Sequence, residues 1–143
     1  LFEICNRVPL LIRVPGQTKP GSTSQALTEL VDLFPTLAAL CGISIHIDVQ
    51  GRSLVPNLKD PDASGKEVVY TVVTRRKTLG KAIRTKRWRY ALWPDGEELY
   101  DLENDIEEHH NLVASAKYAK VLKTMRKNLK TAETKAKSAA NSG

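Results

Sequence analysis

The sequence predicts an α+β fold: a small antiparallel sheet covered by a C-terminal helix, plus one strand that belongs to a larger α/β sheet. Three stretches predict it. Val68 to Thr74 is rich in β-branched residues and is followed by short strand-like runs, separated by turn residues, as far as Asp101. Tyr118, Val121, Leu122, Met125 and Leu129 recur at the spacing of one helix face. Val8, Leu10, Leu11, Ile12 and Val14 form a nearly unbroken apolar run closed by Pro15-Gly16, the pattern of a strand buried on both faces. Such a strand needs a sheet with helices on either side. No second run of this kind with crossover helices occurs in the 143 residues, so its neighbours are expected upstream of Leu1.

In chain order, Gln17 to Thr23 is a connector rich in Pro, Gly, Ser and Thr, and Ser24 to Val31 suits a short strand leading into a helix. Asp32 is placed to cap that helix, Pro35 falls in its first turn, and Leu33, Phe34, Leu37, Leu40 and Cys41 form its apolar stripe. Gly42 ends it. A loop over Ile43 to Gln50 and a turn-rich passage from Gly51 to Pro61 follow, with little core expected there. The strands are Val68–Thr74, Lys81–Thr85 after a turn at Gly80, Trp88–Trp93 and Glu98–Asp101, with Pro94-Asp95-Gly96 as the strongest turn signal. Ser115 is placed to cap the last helix, whose wet side carries Lys117, Lys120, Lys123, Arg126 and Lys127. After Leu129 the apolar spacing fails, so residues 131–143 are expected to be a flexible basic tail.

The chain is 41% hydrophobic and carries a net charge of +6, unevenly placed. Residues 116–143 hold eight Lys or Arg against Glu133 alone, a charge of +7, which leaves residues 1–115 at −1. Within the body, Arg75 to Arg89 carries eight basic residues and no acid, and Asp95 to Glu108 carries eight acids and no base. The two blocks are expected to lie together and compensate each other, with a basic rim facing an anionic substrate as the sharper reading. No apolar run approaches the roughly 20 residues of a membrane span, so no membrane partner is expected. Cys5 and Cys41 lack a Cys-x-x-Cys spacing and read as buried or incidental.

Arg7-Val8-Pro9-Leu10 with Pro15-Gly16, Asp32-Leu33-Phe34-Pro35-Thr36-Leu37 with Cys41-Gly42-Ile43, and Gly51-Arg52-Ser53-Leu54 resemble the C-terminal part of a type I sulfatase. Ala82-Ile83-Arg84-Thr85, Trp88-Arg89-Tyr90, Glu98 to Asp105 and Asn111-Leu112 are similar in order and spacing to the iduronate-2-sulfatase-like branch. The resemblance implies the alkaline phosphatase superfamily. Residues 1–16 would then be the last strand of the catalytic-domain sheet, 17–130 the sulfatase C-terminal subdomain and 131–143 the tail. For the whole enzyme it implies formylglycine made from the cysteine of Cys-x-Pro-Ser-Arg, a calcium ion, and a sulfated small molecule or glycan as substrate. The partner of this chain would be the missing N-terminal catalytic domain of the same enzyme. Periplasmic, secreted and lysosomal locations all fit such an enzyme.

Neither Cys5, followed by Asn6-Arg7-Val8, nor Cys41, followed by Gly42-Ile43-Ser44, matches the nucleophile motif, so no catalytic residue, metal ligand or cofactor site is expected in this chain. The expected role is support of the fold and shaping of the substrate pocket. Arg75, Arg76, Lys81 and Arg84 are the candidate substrate-binding residues, because guanidinium and ammonium groups suit a sulfate or a uronic carboxylate. Asp101, Glu103, Asp105 and Glu107 alternate like hard-cation ligands, but Ile106 stands where an EF-hand loop needs glycine. His109 and His110 are adjacent, point apart, and read as surface residues. Trp88 and Trp93 suit a sugar face but read better as core. The alternative function is a free-standing basic module that holds polyanions such as sulfated glycans or nucleic acid.

Overall fold

The computed structural model describes residues 2–140. Its elements are α1 (Glu3–Asn6), α2 (Leu33–Leu40), α3 (Val55–Lys59), β1 (Val69–Arg75), β2 (Thr78–Arg84), β3 (Trp88–Trp93), β4 (Gly96–Asp101) and α4 (Ala119–Ala140). Two compact units result. One gathers residues 2–9 and 68–134, the other residues 10–67 and 135–140.

In the first unit the strands form an antiparallel meander in the order β1-β2-β3-β4. Register places Tyr70, Ile83, Tyr90 and Leu99 in one row across the sheet. That row meets Leu122, Met125 and Leu129 of α4, and these buried residues with Ile83, Tyr90 and Leu99 make the core. Alternation along each strand and a 3.6-residue stripe along the helix thus converge on one layer. Pro94 and Asp95 form the β3–β4 turn, as their chemistry predicts.

Two expectations in this unit are corrected. The β1–β2 turn lies at Arg76-Lys77, with Arg76 at φ 57°, and not at Gly80. Gly80 sits inside β2, where a Cβ would stand 2.5 Å from the Trp93 ring, so the glycine serves that close approach. Residues 131–140 are helical and not an irregular tail. Ala132 packs against the core, Glu133 pairs with Lys81 at 2.6 Å, and Ala and Lys favour helix in any case. Residues 141–143 of the expected tail lie outside the described residues.

The second unit is organised by a buried polar knot. Asp32 is fully buried. Its carboxylate accepts the backbone N–H groups of Glu29 (2.8 Å) and Arg52 (2.7 Å), and Lys66 Nζ lies 2.6 Å from it while also pairing with Glu29. Burial pulls the Lys66 ammonium down, yet its hydrogen bonds to Asp32 and Glu29 outweigh that and hold it above its ordinary value. The Thr36 hydroxyl donates to the Asp32 carbonyl at 2.6 Å and accepts Leu54 N–H at 2.8 Å. Gly51 permits this packing, since a Cβ there would stand 1.9 Å from the Val31 carbonyl oxygen. Asp32 therefore caps the short 3-10 turn Leu30–Asp32 and ties it to Arg52, where the sequence suggested a cap on α2.

Further corrections follow from this knot. α2 buries Pro35, Thr36 and Ala38, while Phe34 (55%) and Leu37 (60%) are exposed. Leu54 is buried in a stretch expected to contribute little core. Gly42, at φ 67°, stops α2 as expected, with Ile43 N–H reaching back to the Ala38 carbonyl. Ser24 to Val31 makes no ladder: among the described residues its one backbone–backbone bond to a distant segment runs from Lys66 N–H to the Leu27 carbonyl.

Val8 to Val14, expected as a strand of a sheet outside this chain, pairs with no strand among the described residues. Val8, Leu10 and Leu11 are exposed, Leu11 at 89%, and Ile12 and Val14 are half-buried. A strand needs a neighbour to accept its N–H groups, and β1 to β4 pair only among themselves. Pro15-Gly16 does turn the chain, with Gln17 N–H bonded to the Val14 carbonyl. Cys5 and Cys41 are free and exposed, so of the two alternatives, buried or incidental, burial does not hold.

Candidate functional site

The four candidate residues lie along one hairpin without converging. Arg75 and Arg76 are exposed at its tip with Lys77, and none of the three makes an ion pair among the described residues. Lys81 projects on the α4 side, where the hydrogen bond from its ammonium to Glu133 holds it above its usual pKa against partial desolvation. Arg84 lies on the opposite face, bonded to both Glu3 carboxylate oxygens at 3.0–3.2 Å and to the Thr85 carbonyl at 2.8 Å. A three-residue separation along a strand puts the two cations on different faces.

The basic and acidic blocks meet as expected. Arg87 donates two hydrogen bonds to Asp101, at 2.6 and 2.9 Å, and approaches Glu103 at 3.2 Å. The Arg87 bonds, with help from Asn104, hold the Asp101 carboxyl below its ordinary value despite some burial. Arg89 is buried between the rings of Phe2 and Tyr100, pairs with Glu108, and reaches Glu98 at 3.2 Å. Glu108 also accepts Glu3 N–H at 2.6 Å, so the chain's start is fastened to this face of the sheet. Sequence reasoning missed that role of Arg89 and Glu3. Only the apolar flanks of a charged residue hinted at it.

The alternating acids serve the turn. Asp105 accepts the backbone N–H groups of His109 and His110, which lowers its carboxyl pKa, and Asp101 is occupied by Arg87, Asn104 and Glu103 N–H. His109 and His110 are exposed. Trp88 packs on Tyr118 with ring centroids 5.6 Å apart and belongs to the core's margin, and Trp93 lies on Gly80. A formylglycine nucleophile and a calcium ion do not fit these residues: both cysteines stand outside the required motif, and the acids nearest to each other are spent on arginine and backbone partners.

The comparisons with known proteins agree with this anatomy. A family model described as N-sulphoglucosamine sulphohydrolase, C-terminal, matches residues 1–135. N-acetylglucosamine-6-O-sulfatase of Bacteroides thetaiotaomicron is 33% identical over 87% of this chain and 24% of its own length. Delta 4,5-hexuronate-2-O-sulfatase of the same organism is 34% identical over 85% of this chain and 27% of its own length. A protein solved in complex with its substrate D-glucosamine-2-N,6-O-disulfate superposes with a TM-score of 0.88 at 30% identity, covering 96% of this chain and 30% of that one. The chain spans about a quarter to a third of the proteins it matches. With a meander and C-terminal helix built around the very segments the family model matches, the chain belongs to the N-sulphoglucosamine sulphohydrolase C-terminal family.

Proposed function

We propose that this chain is the C-terminal subdomain of a sulfuric ester hydrolase acting on a sulfated sugar, and that it supports the fold and shapes the substrate pocket without being catalytic alone. The observation that carries this reading is the family match over residues 1–135. Two surfaces support it. Val8, Leu10 and Leu11 are an exposed apolar strip without a sheet, and Leu30, Phe34 and Leu37 are an exposed apolar stripe on and before α2. Both are what an interface with a catalytic domain requires. In the whole enzyme Val8 to Val14 joins that domain's sheet as a strand. The formylglycine and calcium that sulfatases use would be held there, and this chain takes no part in the covalent step.

Within this reading the β1–β2 hairpin is the specificity element. Arg75 and Arg76 present free guanidinium forks to a sulfate or carboxylate, while Lys81 and Arg84 hold the hairpin in place through Glu133 and Glu3. The test is to read the coding frame upstream of Leu1 and assay the full-length product for sulfate release from sulfated hexosamines and uronates. A frame containing Cys-x-Pro-Ser-Arg, with release that needs Arg75 and Arg76 for low KM, is the expected result. A frame without the nucleophile motif, or a product with no sulfate release, overturns it.

A further inference from the structure

The outer face of α4 carries a row of charge that the substrate reading leaves unused. Lys120, Lys123, Lys127 and Lys130 follow one another at steps of three and four residues. They fall within an arc of about 80°, on the side turned away from Leu122, Met125 and Leu129, and run over about 15 Å of helix. All four are exposed, and none forms an ion pair among the described residues. Arg126 and Glu133 of the same helix are committed to Glu97 and Lys81 of the sheet. Such a row weakens the helix that carries it, because cations three or four residues apart repel. The usual remedy is an acid four residues before each lysine, and here those positions hold Ala116, Ala119, Lys123 and Arg126. A repulsion left uncompensated within the helix is relieved by counter-charge from outside it.

The chemistry of the face selects the counter-charge. The hydroxyls of Thr124, Thr131 and Thr134, set among the lysines, donate back to the carbonyls of Lys120, Lys127 and Lys130. What remains is charge without a fixed donor geometry. Ammonium groups on flexible four-carbon stems reach one plane from several angles and need no particular arrangement of anions, which suits a flat field of negative headgroups. A nucleic-acid strand is held by a groove with stacking aromatics, and α4 has no aromatic residue. The apolar stripe of α4 is spent on the sheet, so no apolar face is left to insert between lipids. No helix among the described residues is long and apolar enough to cross a membrane, which bears on spanning and not on adsorption by charge. We propose that the outer face of α4 adsorbs, through Lys120, Lys123, Lys127 and Lys130, to a bilayer surface rich in anionic phospholipid headgroups.

This adsorption is independent of hydrolysis and is read by binding alone. The full-length protein is sedimented with vesicles of phosphatidylcholine, and with vesicles of phosphatidylcholine and phosphatidylglycerol in equal parts. Binding is expected on the anionic vesicles only, and is expected to be lost as salt rises from about 50 to about 300 mM. Each ammonium near such a surface is worth about fivefold in partitioning. Lys123→Glu combined with Lys127→Glu is therefore expected to weaken binding about 25-fold or more, with the circular dichroism of the folded protein retained. Lys123→Arg combined with Lys127→Arg keeps the charge and is expected to stay within about twofold. Arg76→Glu combined with Lys77→Glu, the same charge change at the hairpin tip, is expected to cost less than about threefold. Absence of binding to the anionic vesicles at low salt, equal losses from the helix and tip variants, or release from the vesicles by an equal charge of oligothymidylate would each overturn the proposal.

Discussion

The two units of this chain are held together in opposite ways. The sheet-and-helix unit buries its own apolar residues, with Ile83, Tyr90, Leu99, Leu122, Met125 and Leu129 meeting in one layer. The unit containing α2 and α3 turns many of its large apolar side chains outward, Leu30, Phe34 and Leu37 among them, and is fastened instead by Asp32, Lys66, Thr36 and the backbone of Glu29, Arg52 and Leu54. Removing apolar surface from water is non-directional and tolerant, whereas a buried charge demands every partner at once. The first unit is therefore organised by residues it contains. The second is specified locally by polar bonds and leaves much of its apolar area exposed.

The largest expected effect tests that contrast directly. Asp32→Ala removes one of the two carboxylates that hold Lys66 and leaves two backbone N–H groups without their acceptor, at a cost of about 3–5 kcal/mol. Hydrogen exchange should show the amides of Glu29 and Arg52 losing protection while β2 and β3 keep theirs; equal loss in both units would erase the distinction. Next comes Leu99→Ala, which opens a cavity under α4 and should lower stability in urea by about 3 kcal/mol, with the loss centred on the sheet. Gly51→Ala forces a methyl group into the Val31 carbonyl and is expected to cost about 1–3 kcal/mol in the second unit.

A smaller effect sharpens the electrostatic side. Asp101 has its pKa lowered on folding, chiefly by the hydrogen bonds from Arg87. Its contribution to stability is complete above the unfolded carboxyl value and is lost as pH falls below about 4 through the folded value. Asp101→Asn should flatten that acid limb in a series of denaturation curves. An unchanged slope would show that other carboxylates dominate it. Smallest of all, Phe34→Ser and Leu37→Ser should change the stability of this chain by no more than about 0.5 kcal/mol, since both side chains are exposed. In the full-length protein the same substitutions should lower the melting temperature, and a null result there would remove α2 from the proposed interface.

What was legible in the sequence was what local spacing records. The β-branched run from Val68 to Thr74, the stripe from Tyr118 to Leu129 and the Pro94-Asp95 turn each lie within a few residues and name their own structure. The β1–β2 turn was misplaced because Arg76 and Lys77 carry no turn chemistry, while the glycine nearby serves an aromatic ring from another strand. The stripe on α2 was visible, but which side it buries depends on Gly51 and Leu54. Of the candidate site, the clustering of charge was legible and its commitments were not. Arg84 is bonded to Glu3, 81 residues away, a distance at which no pattern of charge identifies a partner.

The indole of Trp93 occupies the volume that a side chain at position 80 would claim. Bulk is carried on β3 and withheld on β2, so the two positions amount to a single choice. In a drifting lineage this fixes the order of change. Position 93 must shrink before position 80 can grow, and the reverse order passes through a sequence whose second hairpin strand has no room to lie flat.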